Sequence, residues 1–188
     1  MRREINLPLS LCLMVVAACG PSSEAAGLVD IPNAAIVYYD IAGTTEEELG
    51  AQLEALGPMG YDGYRGDATT RWYIRWDWRG YEASDCRLDE AVVSYEIQVI
   101  LPHWTPPEDA SPDLVAKWSR YTRALAEHEK GHVDFVVASY DLVAEAIKNA
   151  TCETAEAAAQ TALDLIRQHD IDYDAATDHG ATQGARFP

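Results

Sequence analysis

One short segment of the chain combines the residue types that bind and use a metal ion. It reads His128-Glu129-Lys130-Gly131-His132, with two histidines four residues apart and a glutamate after the first. Four residues make about one helical turn, so both imidazole rings can face one ion. Zinc binds neutral imidazole and activates a water molecule near neutral pH, and the glutamate stands beside it to take the proton. The segment predicts that His128 and His132 are zinc ligands and that Glu129 is a general base. The alternative is a pair of hydrogen-bonded core histidines without a metal.

A catalytic zinc site needs a third protein ligand and one position left for water. Glu145 faces the right way but lies about 20 Å along the helix axis from His132, at 1.5 Å per residue. The ligand must then come from the chain beyond this helix. If the next helix returns antiparallel, its first acidic residues, Glu153 and Glu156, lie at the wrong end of the pair. This disfavours a glutamate as the third ligand.

The antiparallel return brings the C-terminal part of the chain next to the motif. There His179 precedes Gly180 in a turn, and we expect His179 to complete the metal site. His169 is its rival, and it would be level with Phe135. The carboxylates to consider after these two histidines are Asp170, Asp172 and Asp174. Two further residues of the tail, Tyr173 and Arg186, are candidates to stabilise the oxyanion of a reacting carbonyl.

The elements that must position these residues follow from the hydrophobic pattern. Ser111 and Pro112 mark a helix start, and an apolar stripe that includes both motif histidines persists to about Asn149. A helix of that length predicts a bend. A second helix is expected from Cys152 to about His169. Before them, residues 70–78 and 91–101 alternate apolar and polar positions, which predicts two half-buried strands. We expect their tryptophan face to belong to the core, and the alternative is a platform for a substrate. The fold class is then α+β, a small antiparallel sheet packed against the motif helix and an antiparallel second helix.

The first residues are typical of a bacterial export signal. Two arginines precede an apolar run that is too short to span a bilayer. The run ends in Val16-Ala17-Ala18-Cys19, a pattern typical of lipoproteins in which the cysteine is acylated after cleavage. We therefore divide the chain into a signal peptide (1–18), a lipidated N-terminus and tether (19–34) and a zincin-like domain (35–188). In the alternative, the signal is cut near Ala18 and Cys19 has no role.

Cysteines and charge limit the environment and the partners. After removal of the signal and lipidation of Cys19, Cys86 and Cys152 remain, and in an oxidising compartment they are expected to form a disulfide. The alternative is a pair of buried free thiols. The chain has 31 acidic and 14 basic residues, a formal net charge of −17. So acidic a protein is not expected to bind nucleic acid, or to reach a membrane except through its N-terminal lipid.

Several further segments carry a resemblance to a known family. They are Trp118-x-x-Tyr121, the motif itself, Cys152, and the tail Thr177-x-His179-Gly180-x-x-Gln183-Gly184-Ala185, with the strand before Cys86 and Leu101-Pro102-x-Trp104. Together they resemble the predicted secreted zinc-dependent protease family of bacteria, catalogued as a domain of unknown function. The resemblance covers nearly all of the chain after the signal. It implies metallopeptidase activity as that family's own prediction, and it implies no substrate.

Two functions are compatible with these observations. The first is an envelope-anchored zinc peptidase, periplasmic or extracellular, that hydrolyses peptides or proteins with metal-activated water and Glu129 as base. The second is a lipoprotein of the same compartment that binds metal without turnover and serves as a binding or scaffold module.

Overall fold

The computed structural model describes residues 28, 31–60, 63, 65–80 and 85–188. The predicted signal peptide, the predicted acylation site Cys19 and most of the predicted tether lie outside the described residues. Among the helices that are described, none combines the length and the apolar character needed to cross a membrane.

Three strands form one sheet: β1 (Ala34–Ile41), β2 (Thr69–Arg79) and β3 (Arg87–Trp104). The central strand β3 pairs antiparallel with β2 and parallel with β1. The sheet is therefore mixed, which corrects the prediction of an antiparallel sheet. The reason is the segment between β1 and β2, which carries the chain from one edge of the sheet to the other. Alternating hydrophobicity reports which face of a strand is buried and not the direction of its neighbour.

The apolar face of the sheet is core, as the alternating pattern predicts. Its buried residues are Trp72, Ile74 and Trp78 on β2 and Tyr95, Ile97, Val99 and Leu101 on β3. Helices cover this face. Trp72 and Trp78 are thus packed inside the domain, and Trp76 is partly buried against the same core, so this face is not an exposed platform.

The helices are α1 (Glu46–Leu56), α2 (Pro112–Ser139), α3 (Asp141–Lys148) and α4 (Ala155–Thr177). Ser111 caps α2 by accepting a hydrogen bond from the backbone N–H of Leu114, with proline at the first position, as predicted. The expected helix from 111 to about 149 is divided at Tyr140 into α2 and α3. The Tyr140 ring packs against Tyr95 of the sheet, with ring centroids 4.7 Å apart. The α+β class is confirmed.

Helix α4 is longer than the sequence pattern predicts. It continues past His169 to Thr177, and a residue in the left-handed conformation, Asp178, ends it. The added residues amount to about two turns. They place Asp170, Tyr173 and Asp174 on a helix that packs against α2, where the sequence predicted an irregular tail.

The predicted disulfide between Cys86 and Cys152 is present. Cys86 directly precedes β3, and Cys152 lies in the turn between α3 and α4. The bond therefore ties the sheet to the beginning of α4, and the loop that it closes contains the whole of α2.

Candidate metal centre

The motif lies in the middle of α2, on the face that the protein buries. His128, Glu129 and His132 are 3%, 4% and 7% exposed. Buried side chains that can carry a charge need polar partners, because removing them from water is costly. The partners of these three residues come from α4, from β2 and from the C-terminal tail.

Asp174 of α4 is the common partner of both histidines. Its Oδ1 lies 3.2 Å from His128 Nε2 and 3.1 Å from His132 Nε2. One ligand atom from each of the three residues falls within 4.8 Å of the other two. Two imidazole nitrogens and one carboxylate oxygen are a donor set that suits a first-row transition metal such as zinc. The three residues therefore form a candidate metal centre.

The other nitrogen of each imidazole ring has its own acceptor. His132 Nδ1 lies 3.0 Å from Oδ1 of Asp170, and His128 Nδ1 lies 3.0 Å from Oε1 of Gln183. The Trp72 indole N–H donates to the second oxygen of Asp170 at 2.5 Å. When each Nδ1–H donates in this way, the lone pair of Nε2 points to Asp174 and is available to a metal.

Glu129 is held from the sheet. Thr70, near the start of β2, donates a hydrogen bond from Oγ1 to Oε2 of Glu129 at 2.7 Å, and the same hydroxyl lies 3.3 Å from the Glu129 carbonyl oxygen. Burial raises the pKa of the Glu129 carboxyl, although the two histidines and Thr70 oppose this effect. A buried carboxylate with a raised pKa, next to a metal centre, is suited to accept a proton at neutral pH.

The histidine–aspartate cluster is an ion pair when no metal is bound. Burial lowers the pKa of His132, but the hydrogen bonds that its ring donates to Asp170 and Asp174 outweigh this effect and raise the pKa to about 10. Burial raises the pKa of Asp174, and His128 and His132 outweigh it and hold that pKa well below its usual range. A proton therefore occupies the position that a metal ion would take.

Tyr173 closes one side of the cluster. Its ring stacks on His128 at 5.2 Å and meets the His132 ring edge-on at 4.9 Å. A Cβ atom at residue 131 would overlap the Tyr173 hydroxyl, so only glycine in the motif permits this contact. The hydroxyl itself is engaged with Gln183 Nε2 at 3.1 Å and with the His128 carbonyl at 3.4 Å. Tyr173 therefore packs between the two histidines and the tail, and its role in oxyanion stabilisation stays a prediction.

The structure places Asp174, and not the predicted His179, in the third position of the cluster. The side chain of His179 is 71% exposed, and its Nδ1 lies 3.8 Å from Oδ2 of Asp174. The physical reason is the length of α4: Asp174 projects from the helix toward α2, whereas His179 lies beyond the helix end in a turn of left-handed residues. Arg186, the second predicted oxyanion stabiliser, is an exposed residue of the tail.

The rival ligand His169 also lies outside the cluster and contacts an aromatic ring instead. It stacks on Phe135, with ring centroids 3.3 Å apart, at the level that the antiparallel return predicted. Continuing the helix by five residues from this point reaches Asp174 beside the motif. The spacing of Asp170 and Asp174, one turn apart on α4, was a signal for this face. In so acidic a chain, however, such a pair is also typical of a solvated surface.

The fold and the cluster together define an α+β protein with a candidate metal centre of two histidines and one aspartate. The chain belongs to the family described as "Bacterial protein of unknown function (DUF922)", whose sequence model matches residues 36–180. The match includes the three cluster residues, Glu129 and Asp170. Comparisons with curated proteins and with solved structures find no match.

Proposed function

We propose that the protein is a zinc-dependent peptidase of the bacterial cell envelope. The observation that carries the proposal is the convergence of His128, His132 and Asp174 on one point beside a buried Glu129. Three protein ligands leave one coordination position open, which is typical of catalytic rather than structural zinc. When bound there, Zn²⁺ would supply Lewis-acid activation of a water molecule and of the scissile carbonyl.

Glu129 is the general base in this proposal. Among the described residues, Thr70 donates the hydrogen bond that the Glu129 carboxylate accepts, and this bond ends on Oε2. Oε1 can then accept the proton of the attacking water and return it to the leaving amine. The Thr70 contact also fixes the orientation of the side chain, so the proton acceptor needs no rearrangement before it acts.

The proposed location and substrate follow from the sequence. Val16-Ala17-Ala18-Cys19 supports export and acylation, and a disulfide is typical of an oxidising compartment. The proposed substrate is a peptide or protein of the envelope or its surroundings. A net charge of −17 argues against nucleic acid as a partner.

The test compares wild type with Glu129→Gln after both are loaded with zinc. We expect one zinc per chain in each protein and cleavage of an unfolded protein substrate by the wild type alone. Glu127→Gln is the matched control, because Glu127 is an exposed neighbour on the same helix. Full activity in Glu129→Gln would rule out this mechanism. Bound zinc with no cleavage by the wild type would favour the non-catalytic binding module instead.

A further inference from the structure

We propose that the C-terminal tail, residues 178–188, contributes to the metal centre, because its residue Gln183 positions His128 for metal binding. This inference rests on the proposed function and deepens it. The two metal-binding histidines differ in how they are held. Asp170 on α4 orients His132, whereas His128 depends on a residue that lies beyond the last α-helix, close to the end of the chain.

The side-chain amide of Gln183 contacts two members of the site at once. Its Oε1 accepts from His128 Nδ1 at 3.0 Å, and its Nε2 donates to the Tyr173 hydroxyl at 3.1 Å. The two bonds define which end of the amide faces the imidazole. Because the Tyr173 ring stacks on His128, Gln183 and Tyr173 restrict both the rotation of the imidazole and the location of its proton.

The turn that carries Gln183 packs directly on the same histidine. Gly180 has a φ of +81°, and a Cβ atom there would lie 2.8 Å from His128 Cγ. Thr177 holds the turn from the helix end: its Oγ1 accepts from the Gly180 N–H at 3.2 Å, and its carbonyl accepts from Thr182 Oγ1 at 2.9 Å. The short 3₁₀ helix Ala181–Gln183 follows from this turn and delivers the amide to His128.

The end of the tail is anchored on α2, before the motif. Phe187 packs against Trp118 and Tyr121, with ring centroids 5.5 Å and 5.1 Å apart. Ala185, between Gln183 and Phe187, is buried. The tail is therefore fixed on both sides of Gln183, at the helix end and in the aromatic cluster. Because the backbone is fixed on both sides of Gln183, this exposed side chain is suited to orient the metal-binding histidine.

The test measures zinc affinity against a competing chelator in the full chain. Loss of a residue that orients a metal ligand usually costs about 10–100-fold in affinity. We expect a loss of this size in Gln183→Leu, which cannot accept the hydrogen bond. Gln183→Glu keeps an acceptor and should bind zinc within a few-fold of wild type. Gln160→Leu is the matched control, because Gln160 is an exposed glutamine of α4 that bonds only to Asp164 among the described residues.

A second readout separates positioning from a general effect on stability. In the zinc-loaded wild type, the His128 Nδ1–H proton should give a slowly exchanging NMR signal, which Gln183→Leu should lose and Gln183→Glu retain. Wild-type affinity and an unchanged signal in Gln183→Leu would overturn the role of the tail while leaving the peptidase proposal intact. A wild type that binds no zinc would overturn both.

Discussion

A single carboxylate oxygen organises the candidate site at the scale of the residue. Oδ1 of Asp174 faces the Nε2 atoms of both motif histidines, while Gln183 and Asp170 face the Nδ1 atoms. Each imidazole is thereby held at both nitrogens, which suppresses its rotation. The same contacts supply polar partners to two side chains that would otherwise be costly to bury. The same contacts mean that a metal ion must displace a proton to enter.

Zinc binding at neutral pH should release protons. The pKa of His132 in the metal-free protein is about 10, so its imidazole is protonated at pH 7 and must lose that proton to become a ligand. Calorimetry in buffers of different ionisation enthalpy should detect release of at least about one proton per zinc. Apparent zinc affinity should rise from pH 6 to pH 9 for the same reason. Binding that is independent of pH over this range would contradict the ion-pair description.

The choice between Asp174 and His179 as third ligand can be made by substitution. We expect Asp174→Ala to weaken zinc binding by at least about tenfold, because a ligand is lost. His179→Ala should stay close to wild type, because that side chain is exposed and lies outside the cluster. Chelator titrations on the two variants measure both effects. The reverse order of affinities would return His179 to the position that the sequence predicted.

The part of the site predicted from sequence is the part with a local signal. Spacing alone identifies His128, Glu129 and His132, because four residues make a helical turn. Asp170, Asp174, Gln183 and Thr70 have no comparable signal. Asp170, Asp174 and Gln183 reach the motif histidines only because α4 continues about two turns beyond its expected end and the tail then folds back. From the sequence alone Thr70 is an ordinary strand residue, because its contact with Glu129 depends on the packing of β2 beside α2.

At the scale of elements, strand β2 supports both sides of the site. Thr70 and Trp72 lie two residues apart and so share one face of the strand. Thr70 bonds to Glu129 of α2, and Trp72 bonds to Asp170 of α4. One strand therefore aligns the proposed base, Glu129, and the carboxylate that orients His132, which come from two different helices. The start of β2 therefore carries a threonine that contacts Glu129 and a core tryptophan that contacts Asp170.

The contact between α2 and α4 should depend on glycine at position 131. Alanine normally stabilises a helix by up to about 1 kcal/mol relative to glycine. In Gly131→Ala, however, the new methyl group overlaps Tyr173, and overpacking of this kind costs about 1–3 kcal/mol. Urea unfolding should therefore show a loss of stability, and zinc affinity should fall because Tyr173 must move from His128.

Gly50→Ala provides the control for this substitution. Gly50 also lies within a helix, and an added Cβ would meet only the Pro188 carbonyl oxygen, at an ordinary 3.8 Å. This variant should be as stable as wild type or more stable. If both glycine variants gain stability alike, Tyr173 does not pack against α2 as described.

The limits of prediction at this scale are also physical. Alternating hydrophobicity identified β2 and β3, and the residues Ser111 and Pro112 identified the start of α2, since period and capping are local properties. The direction of β1 and the end of α4 depend on tertiary packing. In α4 the residues after His169 are mostly polar or small, so no apolar stripe marks their helical state.

At the scale of the whole molecule, α4 is fastened near both of its ends. The disulfide at Cys152 holds its beginning to the sheet, and the tail packs onto α2 after its end. The residues that complete the candidate metal centre lie between these two attachments. The cysteine count predicted the disulfide, and the antiparallel return predicted that the tail lies near the motif, whereas the contact of Gln183 with His128 emerges only from the folded chain.

Removal of the disulfide should lower stability markedly. The two cysteines are 66 residues apart, and closing a loop of that length contributes about 4 kcal/mol in the chain-entropy model. The double variant Cys86→Ala/Cys152→Ala should therefore unfold at a lower urea concentration than the oxidised wild type. Reduction of the wild type should have the same effect, and it should leave the double variant unchanged. Equal midpoints for oxidised and reduced wild type would show that the bond is not stabilising.

The central claim is that one zinc ion binds between α2 and α4, at the three converging side chains. Diffraction from crystals of zinc-loaded protein, recorded on both sides of the zinc absorption edge, locates the ion directly. We expect one anomalous peak at about 2.0–2.2 Å from His128 Nε2, His132 Nε2 and an oxygen of Asp174. An anomalous peak at other residues, or none in protein that carries stoichiometric zinc, would contradict the assignment.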